Sequence, residues 1–200
     1  MKDPKLILNE ALQVLRDGGI ILYPTDTVWG IGCDATNPEA VRKVFAIKQR
    51  EDSKSLVLLA ANLDMVAQYV RQVPSIAVDL VEVNDKPMTI VYPGAVVQQE
   101  GVPDKRRLAP ETVAGDGSVG IRIPMMDFCR DLAFKLGRPI VSTSANISGG
   151  KTPVSFREVG QEIRDAVDYI VSPPLEKGAT GKASQIIKLG LDGEVEIIRK

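Results

Sequence analysis

The sequence predicts an α/β fold with a mixed parallel and antiparallel sheet flanked by helices. Two observations carry that reading. Short apolar runs alternate with stretches of helical periodicity, and the last two apolar runs flank a turn signal, Asp192-Gly193. The length of 200 residues fits one domain or two tightly fused lobes, and no repeat, low-complexity tract or linker divides it.

In chain order, Asp3-Pro4 reads as an N-cap followed by Pro at the first helical position. Leu8, Ala11, Leu12 and Leu15 recur at helical spacing, and Gly18-Gly19 ends the helix. Ile20 to Tyr23 is a short buried strand closed by Pro24. A second helix opens at Asn37-Pro38, with Val41, Val44 and Phe45 on one face. Leu56 to Ala60 reads as a strand, and helices follow Asn62 and Pro74. Met88 to Tyr92 and Val119 to Ile123 are further strands. Between them, Pro93 to Gly117 lacks periodicity and is rich in Gly, Pro and charge, so a mobile loop or an insertion is expected. Asp127 is placed as the cap of a helix that Gly137 ends. Ile140-Val141 open a strand running into Ser142-Thr143-Ser144-Ala145-Asn146. Ser155 and Glu158 make a capping box, with Val159, Ile163 and Ala166 as an apolar stripe. Ser184 to Leu189 and Glu194 to Arg199 form a terminal hairpin.

Composition narrows the chemistry. Hydrophobic residues make up 44%, enough for a core without metal or disulfide staples. Cys33 and Cys129 form no CxxC pair and read as free thiols of a reducing compartment. No apolar run is long enough to span a membrane, and the first residues lack a signal peptide's apolar region, so a cytoplasmic protein without membrane partners is expected. The net charge of −1 gives no global attraction to nucleic acid. There is no histidine, which removes Ser-His-Asp and Cys-His catalysis and every His-ligated metal site. Walker A and GxGxxG strings are also absent. What remains is positioning by cations, hydroxyls, amides and backbone N–H groups, which suffices for phosphoryl and nucleotidyl transfer.

Three strings carry such groups. Tyr23-Pro24-Thr25-Asp26-Thr27-Val28-Trp29-Gly30 places two hydroxyls, a carboxylate and an aromatic directly after a strand, where α/β proteins bind ligands. It also suits an ordinary Thr-stabilised turn with a packed Trp. Lys48-Gln49-Arg50 with Lys54 gathers three cations before a strand, as a triphosphate requires, or forms a solvated basic helix end. Lys48 falls on the stripe of Val41 and Val44, so it must snorkel or point into a cleft. Its loss is expected to leave folding nearly intact. Ser142-Thr143-Ser144-Ala145-Asn146-Ile147-Ser148-Gly149-Gly150 offers hydroxyls, an amide and a Gly-rich exit for phosphate or ribose, or is a plain Ser/Asn-rich loop. In Val119 to Pro124, Gly120 and Arg122 share a face, and the missing side chain at Gly120 is expected to leave open space beside the guanidinium.

Taken in order, Pro24 to Gly30, Lys48 with Arg50, Gly115 to Pro124, Ser144 to Gly149 and Ser184-Gln185-Ile186 resemble the motif set of the YrdC-like family, the threonylcarbamoyl-adenylate synthases. The likeness implies that residues 1–200 form one YrdC-like domain, a twisted mixed sheet with helices around a deep basic groove. It implies L-threonine, bicarbonate or CO2, and ATP as substrates, threonylcarbamoyl-AMP and pyrophosphate as products, and a place in the threonylcarbamoyladenosine modification of tRNA. Carried over by position, Lys48, Arg50, Lys54, Ser118, Ser144, Asn146 and Arg199 would face ATP, with Lys48 and Arg50 catalytic. Thr27, Arg122, Ser142 and Ser184 would face threonine, and Arg122 would fork onto its carboxylate. Mg²⁺ would arrive with ATP and take no protein side chain as ligand, and no tightly bound organic cofactor is implied. Partners would be the transferase proteins that consume the product, with tRNA or double-stranded RNA as a further binding partner.

The chain departs from the family at several points. Glu51 stands where Pro often follows the Lys-x-Arg motif, and Leu59 where some members carry a threonine-contacting His. Gln185 replaces a Thr, the additional C-terminal domain of longer members is not expected after the hairpin, and Pro93 to Gly117 has no obvious counterpart. Two other readings share the fold: a module that binds double-stranded RNA by shape, which the motifs suit less well than a small ligand, and another carbamoyl-transfer enzyme.

Overall fold

In the computed structural model, which describes residues 3–49, 56–99 and 101–200, the first helix starts where local chemistry places it. Asp3 accepts a hydrogen bond from the Lys5 backbone N–H at 3.0 Å, and Pro4 takes the first turn of α1 (Pro4–Arg16). Ile7, Leu8, Ala11, Leu12 and Leu15 are its buried stripe. Asn37 caps α2 (Pro38–Lys48) by accepting from the N–H groups of Glu39 and Ala40, and Asn62 caps α3 (Leu63–Tyr69) through the Met65 N–H. The remaining helices are α4 (Ser75–Val83), α5 (Asp127–Leu136) and α6 (Gln161–Ala166).

Among the described residues, nine strands form one sheet. They are β1 (Ile21–Pro24), β2 (Trp29–Gly32), β3 (Val57–Leu59), β4 (Met88–Tyr92), β5 (Val119–Arg122), β6 (Ile140–Ser144), β7 (Tyr169–Ile170), β8 (Gln185–Leu189) and β9 (Val195–Arg199). Their order is β7-β1-β2-β6-β3-β5-β4-β8-β9. Three contacts are parallel, β1 with β7, β3 with β5 and β4 with β8; the other five are antiparallel. The expected mixed sheet is therefore present. Its centre is a cross-strand row, Val141–Leu58–Ile121–Ile90, in which no residue exceeds 2% exposure. Each such side chain contributes about 1.5–3 kcal/mol by leaving water. Gly32 is required where β2 meets β6, since a Cβ there would lie 2.8 Å from the Tyr23 ring and closer still to the Val141 carbonyl.

The differences from the sequence reading have local causes. β2 and β7 appear where no strand is read from sequence, because β2 carries two glycines in four residues and β7 is two residues long. Asp127 is the first residue of α5, not its cap; Met126 holds the cap position without a side-chain bond. The Ser155–Glu158 capping box is absent as well. Those residues form a 3-10 turn without a side-chain cap, and Gly160 separates it from the short α6, leaving Val159 and Ile163 buried but Ala166 outside the core.

The segment 93–117 is built into the fold. Gln98 is buried, and its Nε2 lies within hydrogen-bonding reach of the carbonyls of Thr36 (2.7 Å), Asp104 (2.9 Å) and Arg107 (3.0 Å). Backbone bonds tie Ala95 to Gly117 and Ala109 to Ala35, and Leu108 and Ala109 are fully buried. Replacing Gln98 by Met leaves those carbonyls short of a donor and is expected to cost about 1–3 kcal/mol. A lower denaturant midpoint, with hydrogen exchange accelerated in 93–117, checks this.

Candidate functional site

The antiparallel β1–β2 hairpin brings Pro24 opposite Trp29 and leaves Thr25 to Val28 as its loop. Thr25 organises that loop. Its Oγ1 accepts from the N–H groups of Thr27 (3.1 Å) and Val28 (3.3 Å), and it lies 2.8 Å from both the Thr27 hydroxyl and the Val28 carbonyl. The result is a row of hydroxyls at one end of the sheet. The end of β6 lies alongside, with Ser144 opposite Gly30.

Between these strands and the β8–β9 hairpin is a cavity of about 340 Å³. Thr25, Thr27, Ser142, Ser144, Ser184, Arg122 and Arg199 line it, along with Gly30, Val57 and Ile186. No carboxylate contributes to the lining among the described residues. Arg122 is buried, and its Nη1 pairs with Asp26. Its Nη2 makes a long contact of 3.4 Å to the Thr27 hydroxyl, and its Nε has no acceptor. Arg199 reaches in from β9, donating from Nε to the Ser184 carbonyl at 2.9 Å, while the Ser184 hydroxyl bonds Thr89 at 2.7 Å. Partial burial, and then the charge of Arg122, hold the proton affinity of Arg199 below the ordinary guanidinium range. Two like charges therefore face one small space, and an anion placed there relieves both.

Other assigned residues sit around this cavity. Lys48 is buried at the end of α2 and neither snorkels nor lines the cavity. Its ammonium donates to the carbonyls of Ser144 (2.5 Å) and Asn146 (2.7 Å), fixing the loop that follows β6. Asn146 turns its amide to Ile147 and Gly150, and its Oδ1 is buried without a donor. Ser118 is not brought to the cavity. It stands at the far end of β5 from Arg122, with its hydroxyl on Asp116 at 2.6 Å. Arg50, Glu51 and Lys54 lie outside the described residues, immediately before the strand that Val57 opens. Gly120 leaves no open space, because methyl groups of Thr89 and Val91 fill the position where its Cβ would be, at 3.4 and 3.9 Å. Leu59 is fully buried and does not line the cavity.

Two features escape sequence reasoning. Asp26 and Arg122 are 96 residues apart, and only the sheet brings them together. The segment before β8 straps the hairpin loop through backbone bonds alone, Thr180 N–H to the Asp26 carbonyl (2.9 Å) and Gly181 N–H to the Thr27 carbonyl (2.8 Å). Beneath it the Trp29 indole donates to Glu176 at 2.5 Å. The positive φ of Gly178 and Gly181 is the one sequence-level trace of that strap.

This architecture and an anion-accepting cavity set among hydroxyls define an α/β protein that binds a small anionic substrate. The family model described as "Telomere recombination", Sua5_yciO_yrdC, matches residues 13–200, and the chain belongs to the Sua5/YciO/YrdC family. A threonylcarbamoyl-AMP synthase of Pseudoalteromonas translucida is 32% identical over 189 residues, covering 92% of this chain and 94% of that protein. One from Photobacterium profundum is 30% identical over 174 residues, covering 87% and 88%. The crystal structure of P. abyssi Sua5 complexed with L-threonine aligns with a TM-score of 0.80 at 26% identity over 94% of this chain. The chain spans about half, 52%, of that Sua5 chain. No described helix is long and apolar enough to cross a membrane.

Lys48 gives the site a structural dependence that the sequence does not reveal. Lys48→Met should lower stability by about 1–3 kcal/mol, since two buried carbonyls lose a charged donor. A thermal or urea melt compared with that of Lys43→Met, on the exposed side of the same helix, measures it.

Proposed function

We propose that the protein is an L-threonylcarbamoyladenylate synthase, a nucleotidyltransferase that makes threonylcarbamoyl-AMP and pyrophosphate from L-threonine, bicarbonate or CO2, and ATP. The observation that carries this reading is the incompletely bonded guanidinium of Arg122 among the Thr27, Ser142 and Ser184 hydroxyls, in a chain whose relatives bear that name. The Arg122 donors left over from Asp26 take the threonine carboxylate as a planar fork. The hydroxyls hold the threonine side chain and amine. A cavity of about 340 Å³ has room for an amino acid and for the α-phosphate end of a nucleotide at its mouth. Arg199 and Ser144 face that phosphate, Lys48 and Asn146 brace the turn after β6, and the assignment of Arg50, Lys54 and Ser118 to ATP rests on the family motifs alone.

The threonine amine and CO2 join as a carbamate. A carbamate oxygen then bonds to the α-phosphorus of ATP as the bond to the β-phosphate oxygen breaks, releasing pyrophosphate. No protein nucleophile is needed; alignment and cations lower the barrier. Mg²⁺ carried by the ATP phosphates would neutralise charge developing on the leaving group, with no protein side chain assigned to hold it. Among the described residues the lining offers hydroxyls and guanidinium groups, donors suited to the nucleotide's phosphates. The adenylate then passes to a transferase that modifies tRNA.

Purified protein should release pyrophosphate only when threonine, bicarbonate and ATP are all present. Serine should be poorer by roughly 1–3 kcal/mol in transition-state binding, for the lost methyl. Equal release without an amino acid would contradict the proposal. Arg122→Lys should raise the threonine KM and leave the ATP KM almost unchanged, because a point charge cannot replace the fork.

The pH profile tests the absence of a protein base. With no His, and with burial raising the thiols of both Cys33 and Cys129, kcat/KM for threonine should show no protein-derived inflection near the ordinary His value of about 6.5 once the CO2–bicarbonate and ATP-phosphate titrations, which fall in the same range, are divided out. It should follow deprotonation of the substrate amine. An inflection near that His value which remains after the bicarbonate and ATP titrations are divided out would point to a titrating protein group.

A further inference from the structure

Asp26 is buried in the same hairpin loop as Thr25 and Thr27, yet it does not line the cavity. Each of its carboxylate oxygens has one defined partner. Oδ1 takes Nη1 of Arg122, and Oδ2 accepts the backbone N–H of Met125 at 2.9 Å. The backbone of Asp26 is fixed too, its carbonyl accepting from Thr180 N–H at 2.9 Å. A residue held by the Met125 N–H at its carboxylate and by the Thr180 N–H at its backbone is a rigid reference for the guanidinium it meets. Arg122 in turn has few other partners. Its Nη2 reaches only the Thr27 hydroxyl at 3.4 Å, and its Nε is buried without an acceptor. An arginine presents two parallel N–H bonds along its Nε–Nη2 edge, and Asp26 occupies the opposite side of the group, at Nη1.

We infer that Asp26 is the positioning residue of the substrate site: it clamps Arg122 by Nη1 so that the Nε–Nη2 edge is held ready for the amino-acid carboxylate. The inference rests on the threonine reading above. Asp26 touches neither threonine nor the reacting atoms, and all of its effect on binding passes through Arg122. Its charge also prevents Arg122 and Arg199 from standing unopposed at one cavity before substrate arrives. Two requirements follow. A negative charge is needed at position 26, so Glu should serve better than the isosteric Asn. The residue should matter only while an arginine stands at position 122.

The test is threonine binding by isothermal titration, with steady-state KM values for threonine and ATP, on wild type, Asp26→Asn, Asp26→Glu, Arg122→Lys and the double variant Asp26→Asn/Arg122→Lys. Asp26→Asn should weaken threonine by roughly ten- to a hundredfold, the range for one charge-assisted contact, and leave the ATP KM within about twofold. Asp26→Glu should recover most of that loss. The double variant should bind threonine as Arg122→Lys does, with no further loss. Should Asp26→Asn fail to fold, the comparison of Arg122→Lys with the double variant still decides. A further loss there assigns Asp26 a contact or a scaffold role of its own and overturns the inference. Unchanged threonine binding in folded Asp26→Asn overturns it equally, while pyrophosphate release by wild type would leave the synthase reading in place. Wild type that neither binds threonine nor turns it over would overturn both.

Discussion

A guanidinium buried at the end of a central strand has to be answered by a carboxylate, and much of the site follows from how this chain answers it. Removing either member of a pair so deeply buried leaves an uncompensated charge, at a cost of about 3–5 kcal/mol. Arg122 and Asp26 are each about 4% exposed at the side chain, so the pair is shielded from the screening that weakens surface ion pairs. To bring Asp26 there, the β1–β2 hairpin must turn tightly, and Thr25 supplies the turn through its own hydroxyl. That turn also places Thr27 beside Arg122 and opens the hydroxyl-lined space. The strap from Thr180 to Ser184 then closes over the loop and carries Ser184 and Arg199 to the opposite wall.

The surroundings share one design. Polar side chains around the site hold backbone and rings in place. Lys48 fixes the Ser144–Asn146 turn, Gln98 fixes the 93–117 segment, and Glu176 holds the Trp29 indole and the Phe156 N–H. Trp29 and Phe156 pack with ring centroids 5.1 Å apart, and Arg164 lies over the Phe156 ring at 4.5 Å. Rigid surroundings suit chemistry that depends on alignment, because a site without nucleophile or base gains rate only from how well its dipoles are preset.

What could be read from the sequence was what local chemistry decides. Asp3-Pro4, Asn37-Pro38 and Asn62 start helices through their own side chains, β4 is apolar but for Thr89, and β6 opens on the apolar pair Ile140-Val141. The hydroxyl strings at Thr25 to Thr27 and Ser142 to Ser144 announce a polar pocket at strand ends, and the structure brings them to one cavity. What could not be read depends on distant partners. β2 looks like a loop because Gly30 and Gly32 lack side chains, although Gly32 is small so that β6 can approach. The 93–117 segment has no periodicity, and its order comes from Gln98 meeting carbonyls far along the chain. Ser118 follows the motif but is bonded to Asp116 at the other end of its strand. The Asp26–Arg122 pair joins two motifs that each look self-sufficient.

Arg122 carries a buried Nε–H without an acceptor, and that proton can be observed directly. A ¹H–¹⁵N spectrum of the arginine Nε–H groups, with the Arg122 resonance assigned by its loss in Arg122→Lys, should show one signal that moves downfield and exchanges more slowly when L-threonine is added. ATP alone should leave it in place. An Arg122 signal that ignores threonine, or that responds to ATP instead, would contradict the account.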